Sequence, residues 1–396
     1  MTFKKLWESA YNESGGSAQT ADTVPLTEEQ ANFLFETLRT GSIHDKQQAV
    51  ETFAAYGKEA EVHIAKKLNL NDISMFTHLA DILGRIGSNL SAEILSKALA
   101  TKKNEIILPA IKAVSLMADM KKAANVLADF FISCQDEPML ARSIRYLLNL
   151  KEDISPIFIE KYESLDEEKK MYILRFLAEA AQPCALPLFE KQAKQTPEEY
   201  GLYCIDGLGK LGSDEAVKVL DKLASHSEWF LRKRAATALG QTENKSAVPI
   251  LLRLLSDESN LVRASAVKGL SIVGKFAPEI IAKKLKNAPR LVKINLIRIM
   301  GQIGDHLFLE PILSTLSERD TLFFSIDALG DLGHKGAEPA LRRLLTDEVW
   351  FNRLNALEAL DKLQCQYMPQ IAEKALQDEN DMVRNSAERI LKNLRS

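Results

Sequence analysis

One apolar slot returns about every 31 residues along most of this chain, and that spacing constrains the fold more than any other feature. Read from Leu239, the last apolar residue before Gly240, the slot falls at Phe53, Leu83, Leu116, Leu147, Leu177, Leu208, Leu239, Leu270, Met300, Leu329, Leu360 and Leu391, in steps of 29 to 33 residues. A single globular core has no reason to hold a register over twelve steps. A line of repeated supersecondary units does, because each unit buries its apolar face only against its neighbours. The near-copies Trp229-Phe230-Leu231-Arg232 and Trp350-Phe351-Asn352-Arg353 are two members of this series.

Each unit has two halves. The second carries apolar residues at helical spacing, as in Val262, Ala266, Leu270 and Val273. It often ends in Gly (Gly87, Gly212, Gly274, Gly304, Gly333), which predicts a left-handed residue closing the helix. The first half is shorter, and Pro stands early in it at 156, 187, 249, 278, 311, 339 and 369. Pro is tolerated in a first helical turn, where its missing N–H has no intrahelical partner to lose. Acidic joints such as Ser256-Asp257-Glu258-Ser259 and Thr346-Asp347-Glu348-Val349 separate the halves. No period-2 strand pattern of any length occurs. The chain therefore reads as all-α: an alpha-alpha superhelix of about twelve two-helix repeats.

The pattern Asp-x-x-x-x-Val-Arg-x-x-Ala, followed by Ala-Leu-Gly-x-hydrophobic-Gly, resembles the phycobilisome-lyase-like HEAT repeat family. It is carried by Asp257, Val262, Arg263 and Ala266, by Asp378, Val383, Arg384 and Ala387, and in its tail by Ala328, Leu329, Gly330, Leu332 and Gly333. The resemblance covers roughly residues 45–396. The repeats around Leu116, Leu147 and Leu177 depart from it, lacking the Gly and the Val-Arg. It implies a HEAT-type solenoid, expected over residues 26–396. Thr27 is expected to cap the first helix, with Gln30 completing a capping box. Residues 12–25 read as a flexible Gly/Ser-containing linker. In residues 1–11, Phe3, Leu6, Trp7 and Tyr11 share one face of a short amphipathic helix. That helix is read either as a docking peptide or as a cap over Phe33, Leu34 and Phe35.

Composition narrows the function. A net charge of −3, from 51 basic and 54 acidic residues, gives no general pull toward nucleic acid or an anionic membrane. No apolar run approaches the ~18 residues of a membrane span. The four cysteines are scattered and read as reduced, mostly buried residues of a cytoplasmic protein. The histidines at 44, 63, 78, 226, 306 and 334 form no His-x-x-x-His or His-Glu-x-x-His. There is no Gly-x-Ser-x-Gly and no P-loop, and Gly209 to Gly212 belongs to a helix ending. The expectation is a protein without catalysis, metal or cofactor.

Two rows of side chains remain. Seven residues before the slot stand Lys46, Lys170, Arg232, Arg263, Lys293, Arg353 and Arg384, read as a structural ladder pairing with acids or carbonyls of an adjoining turn. Phe230 and Phe351, nine before it, read as packing residues at a helix start. Positions five and two before the slot are expected on the exposed face of the second helix, as in His78 and Asp81, Ile111 and Val114, or Ser386 and Arg389. The richest patch there is Arg142, Arg145, Tyr172, Arg175, Tyr203 and Arg234, with Phe324 as a second contact near Asp327 and Glu358. Tyr and Arg are the residues of interface hot spots. The leading reading is a scaffold or adaptor that binds protein partners on this face. A bilin lyase or chromophore chaperone, implied by the resemblance, and nucleic-acid binding through the Arg-rich patch stay open.

Overall fold

The computed structural model describes residues 25–150, 153–195 and 200–395. Phe3, Leu6, Trp7 and Tyr11, and the linker up to residue 24, lie outside the described residues. Among those described, the chain forms 24 α-helices and no strand. Backbone contacts divide it into two units, Met1–Ala180 and Ala181–Ser396.

The first unit holds α1 (Glu28–Thr40), α2 (Ile43–Ala55), α3 (Lys58–Lys67), α4 (Ile73–Ile86), α5 (Asn89–Leu99), α6 (Asn104–Ser115), α7 (Met120–Ser133), α8 (Glu137–Leu148), α9 (Ser155–Lys161) and α10 (Glu167–Ala180). The second holds α11 (Leu186–Gln195), α12 (Gly201–Leu211), α13 (Asp214–Leu223), α14 (Trp229–Gln241), α15 (Val248–Leu254), α16 (Asn260–Val273), α17 (Pro278–Leu285), α18 (Arg290–Ile303), α19 (Leu309–Thr315), α20 (Leu322–Leu332), α21 (Glu338–Leu344), α22 (Trp350–Lys362), α23 (Met368–Ala375) and α24 (Asp381–Arg395). Odd and even helices pair as the two halves of each repeat. Within each unit the even helices also stack on one another, α2 on α4 on α6 and α12 on α14 on α16. Each unit is thus a stack of helix pairs, the architecture of an alpha solenoid.

The first described helix carries the capping box that the sequence predicts. Leu26 is buried, and the Thr27 hydroxyl accepts from the Gln30 N–H at 3.3 Å while the Gln30 side chain accepts from the Thr27 N–H at 3.0 Å. Eleven of the twelve slot residues are buried. The exception is Leu116, which is 46% exposed and sits at the C-terminal cap of α6. The slot there is Val114, fully buried like Ile111. Those two were expected on the exposed face, which in this repeat carries Pro109 and Lys112 instead. Of the five closing glycines, Gly87, Gly212, Gly304 and Gly333 are left-handed; Gly274 is not, with φ −62. A side chain at Gly274 would strike Ile281 and Ile303, so packing explains it. Of the three residues that the N-terminal helix would cover as a cap, Leu34 and Phe35 are buried and Phe33 is half-exposed. Cys204 and Cys365 are buried, but Cys184 is exposed; none of the four forms a disulfide. Burial pushes the Cys204 thiol up to about 12.

Glycine has a second job between repeats. Immediately after the slot, Gly84, Gly209, Gly240, Gly301 and Gly330 meet Ala113, Ala238, Gly269, Ala328 and Ala359 of the next even helix. A Cβ on Gly84 would lie 2.3 Å from the Ala113 carbonyl oxygen. That oxygen belongs to a helix backbone and cannot swing aside. Overpacking costs about 1–3 kcal/mol, more than the up to ~1 kcal/mol Ala gains over Gly in helix propensity. Gly84→Ala is therefore expected to lower the urea midpoint of the first unit; an unchanged or raised midpoint would show that α4 and α6 are not held this close.

Candidate functional site

Two kinds of polar row lie on the even helices, and the structure separates them. The first is the ladder. Arg232 is buried at the start of α14. Its Nε and Nη2 donate to the Asp257 carboxylate at 2.8 and 3.0 Å, and its Nη1 donates to the carbonyls of His226 and Ser227 at 2.9 and 2.6 Å. Arg353 repeats the arrangement on α22, with Asp378 at 2.8 Å through both nitrogens and the carbonyls of Asp347 and Glu348. Lys293 on α18 holds Glu318 at 2.8 and 2.9 Å. In all three cases the acid lies 25 residues later, in the joint of the following repeat. These hydrogen bonds hold the Asp257 and Asp378 carboxyls below the usual carboxylate range and raise the two guanidiniums. Arg263 and Arg384 reach only the carbonyls and exposed groups of their own joint. Lys170 pairs inside its own helix with Glu167. The ladder is a structural device, not a surface offered to a ligand.

The second row is the exposed face, described for each unit separately. In the second unit, Arg234 is held by Asp206 at 2.7 and 3.1 Å, and Tyr203 is half-buried beside them. The acids expected around Phe324 are neutralised: Asp327 and Asp331 by Lys362 at 2.8 and 2.7 Å, Glu358 by Arg389 at 2.8 Å. Ser386, expected to be exposed, is buried and donates to Glu358. Phe324 itself lies half-buried under the Arg298 guanidinium, 5.1 Å from its ring. Phe351 is not core. It is 40% exposed and stacks on Phe323 at 5.2 Å, with Trp350 edge-on at 5.6 Å. Leu261, Leu291 and Met382, at the equivalent helix starts, are also exposed.

In the first unit the face has the opposite character. Arg142 and Arg145 on α8 and Arg175 on α10 are exposed and make no hydrogen bond or ion pair among the described residues; Tyr172 stands half-buried one turn from Arg175. The reason follows from the register. In the second unit a cation five before the slot is met by a carboxylate 28 residues earlier, as Arg234 is by Asp206. On α6 the position two before the slot is Lys112, so Arg142 of the next even helix meets no such acid, whereas α2 and α4 carry Glu51 and Asp81 there. Beside these cations α4, α6 and α8 enclose a pocket of about 270 Å³, bounded by His78, Pro109, Lys112, Leu116 and Tyr146. Asp81, on its rim, is paired with Arg85. Burial together with Lys46 lowers the His78 pKa, favouring a neutral imidazole. Among the described residues no cluster of His, Cys, Asp and Glu is arranged to hold a metal, and no helix is long and apolar enough to cross a membrane.

Residues 186–271 and 307–392 match the family model for HEAT repeats. No curated protein matches the sequence. Among solved structures the chain is similar to the karyopherin Kap121p bound to the extreme C-terminus of the protein phosphatase Cdc14p, at 11% identity over 98% of this chain and 51% of that one, with a TM-score of 0.49. Kap121p bound to Ste12p is similar at 10% identity, 98% and 49% coverage and a TM-score of 0.48. An engineered protein is similar at 17% identity, 92% and 99% coverage and a TM-score of 0.32. The chain spans about half the length of the karyopherin chains.

Proposed function

We propose that this HEAT-repeat chain is a protein-binding scaffold whose contacts are made by the exposed face of its even helices, with no chemistry of its own. The observation that carries this reading is the set of exposed, unpaired guanidiniums at Arg142, Arg145 and Arg175. Most Arg side chains elsewhere are held internally, as Arg232, Arg234, Arg253, Arg353 and Arg389 are, whereas Arg319 and Arg343 are single exposed exceptions among the described residues. An Arg with no internal partner keeps its full set of donors for another molecule. Tyr172, one turn from Arg175, adds rigid, amphipathic area that costs little entropy to order.

Arg142→Ala combined with Arg175→Ala is expected to weaken partner binding by more than ~2 kcal/mol and leave the melting temperature nearly unchanged. Partners captured by wild type and missing from the variant, then titrated against both proteins, supply the measurement. Equal affinities, or a loss of binding that tracks a loss of fold, would remove these residues from the interface.

A further inference from the structure

We infer that the exposed face of α6, α8 and α10 recognises an acidic peptide segment that also carries one large apolar side chain. The inference rests on the scaffold reading and specifies its partner. Two independent features support it. The first is charge: Lys112, Arg142, Arg145 and Arg175 are all exposed and unpaired among the described residues. No carboxylate stands at either exposed-face position of these three helices, and Glu179 lies only at the far end of α10. The chain as a whole is acidic, so this face is a local exception and not a general affinity for polyanions. Planar guanidiniums pair bidentately with carboxylates, and successive even helices set their heads at intervals of ~10 Å, a spacing that a short extended segment spans.

The second feature is the pocket adjoining the cations. Pro109, Leu116 and Tyr146 give it apolar walls, His78 contributes an imidazole favoured neutral, and Lys112 stands at its edge. Its volume of about 270 Å³ suits one Leu, Met or Phe side chain. Pro109 lies in the interior of α6, where Pro leaves the helix one backbone hydrogen bond short. Leu116 is 46% exposed and would gain cover from such an anchor. A nucleic acid would satisfy the cations, but it has no side chain for this pocket.

The test is selection of a random dodecapeptide phage library on the full-length chain, read by sequencing. Peptides rich in Asp and Glu with one Leu, Met or Phe should be enriched. The best of them, made synthetically, should lose about tenfold or more in affinity on Arg142→Ala/Arg145→Ala/Arg175→Ala, and lose affinity with rising salt. These side chains support nothing internal, so circular dichroism of the variant should match wild type. Leu116→Ser should keep the acidic preference and abolish the apolar one; an unchanged apolar preference would overturn the pocket's part. Neutral or basic selected peptides, or acidic ones bound equally by the triple variant, would overturn the inference while leaving the scaffold reading standing. An oligothymidylate bound more tightly than any selected peptide, and lost in the triple variant, would overturn it in favour of nucleic acid. If no peptide is enriched and Arg142→Ala/Arg175→Ala also loses no partner, the scaffold reading fails with it.

Discussion

Leu239→Ala is expected to destabilise the second unit by about 4 kcal/mol, in the upper part of the ~2–5 kcal/mol seen for such changes. Leu239 is fully buried in α14, between α12 and α16. The size of the loss depends on how far the neighbours can collapse into the space left behind. Here they cannot come closer. A Cβ on Gly240, the next residue, would already lie 2.6 Å from the Gly269 Cα of α16, so α14 and α16 are in backbone contact. The cavity stays open, and at ~24 cal/mol per Å³ it carries most of the excess over simple transfer. Urea unfolding should show a lower midpoint at an unchanged slope. A midpoint within error of wild type would mean that the slot does not define the core.

Arg232→Ala and Arg353→Ala are each expected to cost about 3 kcal/mol, because each leaves a largely desolvated carboxylate, Asp257 or Asp378, without its partner. Arg263→Ala should cost much less, since Arg263 bonds only carbonyls at a half-exposed site. The same pairs predict a pH dependence. In the folded chain both carboxyls titrate below the ordinary value of about 3.9. Their contribution is therefore complete above the unfolded pKa and is lost as pH falls through the lower, folded one. Wild type should lose stability below about pH 4, and Arg232→Ala/Arg353→Ala should show a shallower loss over that range. Parallel curves would mean that these acids gain nothing from their arginines.

The repeats were legible because a slot such as Leu239 or Leu270 must be apolar whatever surrounds it, and because Gly and Pro mark where helices end and begin. The error at Leu116 came from the one stretch without those marks. No Gly closes α6, two extra residues fall between Val114 and Leu147, and an apolar residue at the helix cap imitated the slot. The row of cations was legible as a ladder because it recurs seven before the slot, but its acid partner 25 residues later, met at Arg232, Lys293 and Arg353, was visible only in the structure. The exposed face was less legible. A lone Arg looks the same whether it is paired or free, and only the structure shows that Arg234 is spent on Asp206 while Arg142 and Arg175 are not. Phe351 shows the same limit for apolar residues: its type suits a core, yet it stacks on Phe323 at the surface.

At Arg263 the ladder lacks its partner, since Ala288 stands 25 residues later in place of an acid. Among the described residues, ion pairs join neighbouring repeats of the second unit everywhere else: through Arg234, Arg232, Lys293, Lys362 and Arg389 in turn. Between α15/α16 and α17/α18 there is none, and a single hydrogen bond from Ser271 to Gln302 spans the gap. Beside Gly274, adjoining repeats of the second unit are thus held by apolar packing and this one hydrogen bond, so salt, which screens the other junctions, has no ion pair to weaken here.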